Sequence, residues 1–173
     1  MLAETLSDIF QRGLEFDYDC EHQLIKELPK MIEAVQSAEL KVALERQLEE
    51  SKRQLERLEQ VFASLNRAPA GESNHMVHSV LAEAEKMIKH IEPSPLRDAA
   101  LIIQGNLVHH NKIALYGSLC ALAPILKLDA PARLLELTLN EEKAGDQELT
   151  EISAAVNQAA AGFQNTPHGF VII

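Results

Sequence analysis

The sequence contains no tryptophan, its aromatic content is only 4%, and it has two cysteines in 173 residues. So few aromatics, beside many Leu, Ala, Ile and Glu residues, favour helices over strands. Two cysteines make no disulfide framework. Cys20 and Cys120 each fall inside a helical pattern and read as small buried hydrophobes of a reducing compartment rather than as a bridge. A basic run is also missing. With a formal charge of −10 the surface repels phosphate backbones, so nucleic acid is not an expected partner. No stretch reaches the ~18 apolar residues that a membrane-spanning helix needs. The N-terminus is acidic and amphipathic, without the apolar segment of a signal peptide. The expectation is a soluble cytoplasmic protein with no membrane association. Its length suits one domain with a core large enough to fold without staples.

What is present is helical periodicity. Leu6, Ile9, Phe10, Leu14, Leu24 and Leu28 mark a first long helix over about 3–35, with a bend expected near Pro29. After the short connection around Ser37, a good helix cap, Leu40, Leu44, Leu48, Leu55, Leu58, Phe62 and Leu65 mark a second over 38–65, antiparallel to the first. Residues 66–73 are a loop by composition, and a shorter helix follows over about 75–90. Beyond Pro93 and Pro95, a third long helix runs over 96–123 and is ended or kinked by Pro124. A fourth starts behind Asp129 and Pro131 and extends over about 130–158. Two hairpins joined by one long crossover make the fold class all-α: a ferritin-like antiparallel four-helix bundle with a short extra helix in the crossover. Residues 1–160 are the expected domain and 161–173 a C-terminal tail, apolar at Phe163, Phe170, Val171, Ile172 and Ile173. High burial is expected at Phe10, Leu24, Leu48, Leu55, Leu101, Leu115, Leu139 and Leu149.

Polar residues interrupt these stripes at one level. Asp17 and Glu21 stand between Leu14 and Leu24, and Glu142 and Asp146 between Leu139 and Leu149. Glu50 and Gln54 lie beside the second helix's apolar line, while Gln104, His109, Asn111 and Lys112 fill the gap between Leu101 and Leu115. A buried charge is costly unless it is paired or bound to metal, so polar groups facing inward from four helices suggest a shared site. Helical bundles build di-iron and di-manganese sites from such carboxylates and histidines. The same pattern equally describes a metal-free polar network, with Lys112 as counter-ion for Glu21, Glu50 or Glu142.

Three segments carry a resemblance to a known family. They are Tyr18-Asp-Cys-Glu-His-Gln-Leu-Ile-Lys-Glu-Leu-Pro-Lys-Met31, Leu48-Glu-Glu-Ser-Lys-Arg-Gln-Leu-Glu-Arg-Leu-Glu-Gln60 and Leu135-Glu-Leu-Thr-Leu-Asn-Glu-Glu-Lys-Ala-Gly-Asp146. With them the chain resembles the YciE/YciF-type stress-protein family over nearly all of residues 3–155. The resemblance implies a ferritin-like fold, a homodimer, a link to general stress responses and a dimetal site of the rubrerythrin type. Carried over, Glu21, Glu50 (with Gln54 one turn on), Glu142 and Asp146 match family positions. The third helix departs: where the family pattern is close to Glu-His-Tyr-Glu before Ile-Ala, this chain reads His109-His110-Asn111-Lys112 before Ile113-Ala114. His109 can still ligate metal, whereas a protonated Lys112 cannot and instead supplies charge that a metal would bring.

Two main functions follow. One is a stress-associated protein without catalysis, whose altered carboxylate site is metal-free or holds a single ion. The other is a di-iron or di-manganese, ferroxidase-like protein with Glu21, Glu50, His109, Glu142 and Asp146 as ligands. Iron or manganese is the expected cofactor class, with no organic cofactor. A partner-binding module, suggested by the apolar tail, is a third reading.

Overall fold

The computed structural model describes residues 4–163, which fold into five helices with no strand among them. They are α1 (Leu6–Ala34), α2 (Ala38–Ser64), α3 (His75–His90), α4 (Pro95–Ile125) and α5 (Asp129–Phe163). The expected tail lies mostly outside the described residues, and α5 continues through Phe163.

Local chemistry sets the boundaries of the first four helices. Thr5 and Asp8 form a capping box on α1, and the side chains of Ser37, Asn74 and Ser94 accept from the backbone N–H of Leu40, Val77 and Arg97. Pro95 opens α4, where its missing N–H has no cost. Pro29 and Pro124 both lie inside helices that continue past them. The ends of α2 and α4 share one device. Arg67 N–H bonds the Phe62 carbonyl and Asn66 N–H that of Ala63; Leu128 and Lys127 do the same to Ala123 and Pro124. Asn66 and Lys127 hold the left-handed backbone, at φ 55° and 59°, that this closure requires.

The four long helices form a ring in which α1 packs on α2 and α4, and α5 on α2 and α4; α3 lies across α1 and α4. At one end Asp98 of α4 accepts from Gln36 N–H at 3.0 Å and Ser37 N–H at 2.7 Å, and the Arg97 guanidinium donates to the Ala34 carbonyl. The start of α4 thus holds the α1–α2 turn. The crossover is tied to α1 by Glu72 N–H on the Glu15 carbonyl, Asn74 N–H on Asp19, and an Arg12–Glu72 ion pair.

Two apolar clusters fill the interior. One contains Leu24, Leu28, Leu40, Leu44, Leu101, Val108 and Leu149; the other contains Phe10, Leu14, Leu58, Phe62, Leu119, Leu135 and Leu139. The expected burial of Phe10, Leu24, Leu101, Leu139 and Leu149 is found. Leu48, Leu55 and Leu115 are only half-buried. The inner line of α2 runs Leu44, Gln47, Ser51, Gln54, Leu58, and that of α4 runs Val108, Lys112, Tyr116, Leu119. Each of the three leucines is one position off its line, turned about 100° around the helix. Taking leucines as the core marker puts Gln54 beside the inner line instead of on it and passes over Gln47, Ser51 and Tyr116.

Candidate functional site: a lysine-bridged polar layer

Between the two apolar clusters lies a layer of buried polar side chains: Asp17 and Glu21 from α1, Ser51 and Gln54 from α2, His109 and Lys112 from α4, and Glu142 from α5. All four long helices contribute. On α1, α2 and α4 the two positions lie three or four residues apart, which stacks them on the inward face.

Lys112 is the centre. Its side chain is fully buried, and its Nζ lies 2.6 Å from Gln54 Oε1, 2.7 Å from Glu142 Oε1 and 2.9 Å from Glu21 Oε1. Three acceptors satisfy the three ammonium protons, so a buried lysine leaves no donor unpaired. Burial alone would lower its pKa, but Glu142 and Glu21 outweigh burial and hold it above the ordinary lysine value.

Glu142 receives the most support. Besides Lys112 it accepts from Gln54 Nε2 at 2.9 Å and pairs with His109 Nδ1 at 2.8 Å. An ionised carboxylate only accepts, so the proton of that last bond belongs on Nδ1. Burial pushes the Glu142 carboxyl up; Lys112 and His109 overcome it and hold the pKa at about 2. Glu21 has one ammonium contact and the Tyr116 hydroxyl at 3.3 Å, and burial leaves its pKa raised. The lysine charge is therefore balanced first by Glu142. Asp17 is fully buried, and neither carboxyl oxygen has a hydrogen-bond partner. Burial, reinforced by Glu21, pushes its pKa well above the usual range, so it is neutral where Glu142 is charged.

Glu141 and Arg57 orient Gln54. Its amide donates to Glu141 at 2.9 Å, and Arg57 clamps Glu141 through two bonds of 2.5 and 2.6 Å. With its N–H₂ held on two carboxylates, Gln54 must turn its carbonyl to Lys112. On the far side His109 packs against α5 at Gly145, where an added Cβ would stand 2.6 Å from His109 Cε1. Only glycine admits the imidazole there.

Of the five residues expected as metal ligands, the structure brings Glu21, His109 and Glu142 into this layer. Glu50 is half-buried outside it, its pKa raised by burial and by Glu141 and Glu142. Asp146 is also half-buried and faces the exposed His110, 3.1 Å from its Nε2. Among the described residues no three His, Cys, Asp or Glu side chains converge as a metal-holding group. Lys112 Nζ stands between Glu21 and Glu142, where a bridging cation would have to lie. The donor set as arranged does not fit a two-metal centre. Tyr116, Glu141, Arg57 and Gly145 were not singled out from the sequence. Tyr116 is one turn after Lys112, and a glycine in mid-helix signals a close approach, so both had a readable cue. The Arg57–Glu141 clamp joins separate helices and had none. Cys20 is buried and Cys120 half-buried, both free thiols. No helix among the described residues is long and apolar enough to cross a membrane.

This defines an all-helical protein with a charge-compensated polar layer at mid-height. Residues 5–161 match the family described as a domain of unknown function, DUF892. Over 154 residues the chain is 36% identical to protein YciF of Escherichia coli strain K12, a span of 88% of this chain and 93% of that one. The crystal structure of the E. coli stress protein YciF superposes with a TM-score of 0.86 at 35% identity, covering 90% of this chain and 99% of that one. YcfI from Rhodopseudomonas palustris superposes with a TM-score of 0.82 at 37% identity, covering 85% and 94%. The chain belongs to the DUF892 family and is a relative of YciF.

Proposed function

We propose that this is a ferritin-like, stress-associated cytoplasmic protein of the YciF type that acts as a homodimeric structural scaffold, without catalysis. Its inner carboxylate site is held together by Lys112 instead of by a metal pair. The observation that carries this reading is the Lys112 ammonium between Glu21 and Glu142, at 2.9 and 2.7 Å. A buried carboxylate cluster needs a cation or protons, and here a side chain supplies the cation.

The competing reading is an iron or manganese protein using Glu21, Glu50, His109, Glu142 and Asp146. Glu21 Oε2 and Ser51 Oγ favour it, being buried within the layer with no partner besides each other. Metal content after growth in iron-rich and manganese-rich media, followed by calorimetric titration, decides between the two. The lysine-bridged scaffold takes up at most one transition-metal ion per chain, weakly, and Lys112→Glu raises that affinity. Two tightly bound ions in the wild type would overturn the scaffold reading in favour of a working dimetal centre.

A further inference from the structure

Outside the polar layer, two buried side-chain oxygens have no hydrogen-bond partner among the described residues: Asp146 Oδ1 and Asn106 Oδ1. An oxygen sealed from water normally accepts a hydrogen bond, so two such atoms in one place mark a missing donor or a missing cation. The helix register brings them together. α4 and α5 run antiparallel, with Gly105 against Leu149, His109 against Gly145 and Lys112 against Glu142. Asp146 is therefore level with Val108, about 3 Å along the axis from the levels of both Asn106 and His110. Asn106 and His110 are four residues apart and share one side of α4.

His110 supplies the third donor. Its Nε2 lies 3.1 Å from Asp146 Oδ1, yet that oxygen accepts no hydrogen bond from the ring or from any other described group. The two atoms stand side by side instead of pointing at each other. Neighbouring ligands of one metal ion stand in the same way. With bonds of about 2.0–2.2 Å and octahedral to tetrahedral angles, adjacent donors are separated by about 2.9–3.4 Å.

We propose that Asn106, His110 and Asp146 bind one divalent first-row transition-metal ion, such as Zn²⁺, in the outer groove between α4 and α5. An imidazole nitrogen, a carboxylate oxygen and an amide oxygen form a mixed donor set that suits such ions. The His110 side chain is 68% exposed and that of Asp146 23%, so the ion has an entry path and water fills its remaining positions. Lys112, Glu21 and Glu142 take no part, and the lysine charge stays with the layer carboxylates. This is the single ion that the lysine-bridged scaffold admits, and the scaffold stands with or without it.

Calorimetric titration of the untagged, chelator-stripped full chain with ZnCl₂ tests the site, with the imidazole nitrogens followed by NMR. One ion per chain should bind. Nε2 of His110 should shift, and the His109 nitrogens should not. His110→Ala and Asp146→Asn should each weaken binding at least ~10-fold with unchanged helicity. Asn106→Asp, which puts a charged donor at the same position, should tighten it. Lys112→Glu opens the polar layer and should add a second ion without displacing the first. No binding up to about 1 mM Zn²⁺ overturns the proposal and leaves the scaffold reading intact. Binding that survives both His110→Ala and Asp146→Asn also overturns it, because the ion then sits on other surface histidines. An ion that shifts His109 and is lost in Glu50→Gln lies in the polar layer, which overturns this site and the lysine-bridged reading together.

Discussion

Lys112 Nζ and Glu142 Oε1 lie 2.7 Å apart at the centre of the protein, with side-chain exposures of 0% and 2%. Both charges belong to one neutral unit. Removing Lys112 leaves Glu142 buried with only His109 and Gln54, and removing Glu142 leaves the ammonium buried with only Glu21 and Gln54.

The first consequence is for stability. Lys112→Met should cost about 3–5 kcal/mol, because Glu21 and Glu142 lose their common cation. Lys112→Met/Glu142→Gln should recover part of that loss, and a double-mutant cycle by urea unfolding should give a coupling above about 1 kcal/mol. Additive effects would mean that the two side chains do not interact.

Acid titration reads Glu142 directly. Its pKa falls from an ordinary 4.5 to about 2 on folding. A depressed carboxylate contributes stability that is fully present above the unfolded pKa and is lost as pH falls from about 4.5 towards 2. Carboxyl carbon NMR should show Glu142 still ionised at pH 3.5. Glu142→Gln should flatten the stability profile between pH 4.5 and 2.

Asp17 has the opposite sign. Its pKa is raised well above 3.8, so the folded state holds a proton that the unfolded chain releases. Stability is then greatest at low pH and declines as pH rises past the unfolded value. Asp17→Asn keeps the neutral shape and removes that decline. The variant should gain relative to wild type more at pH 8 than at pH 4 in thermal melts.

Gly145 positions His109 by its lack of a side chain. Gly145→Ala should displace the imidazole from Glu142 and destabilise by about 1–3 kcal/mol, although alanine is the better helix former. In an His109→Ala background the same substitution should be neutral or stabilising, which separates a steric cause from a helical one.

Lys127 gives a prediction of gain. It is exposed and held at φ 59° in the turn that ends α4. Lys127→Gly relieves a left-handed non-glycine residue and should stabilise by up to ~1 kcal/mol in denaturant titration.

Much of this was legible beforehand because it is local. The short helix expected over about 75–90, between the 66–73 loop and Pro93, is α3 at His75–His90, and the Ser37 cap expected on α2 acts on backbone three residues away. The four-helix polar layer also showed as interruptions in helical stripes, and Lys112 stood out as the one cation among carboxylates. Which of the candidate residues meet is not a local matter. Glu50 and Asp146 share the spacing of true layer residues, but a rotation of part of a turn, set by how the helices pack, leaves them half-buried while Gln54 and Glu142 face inward. The sequence by itself determined the helices, their order and the presence of buried charge at mid-height, since periodicity and capping need only neighbours. Tertiary structure alone decided that Lys112, Glu142, Glu21 and Gln54 close on one another, because contacts made across 30 to 88 residues of chain and more depend on helix rotation and register rather than on spacing.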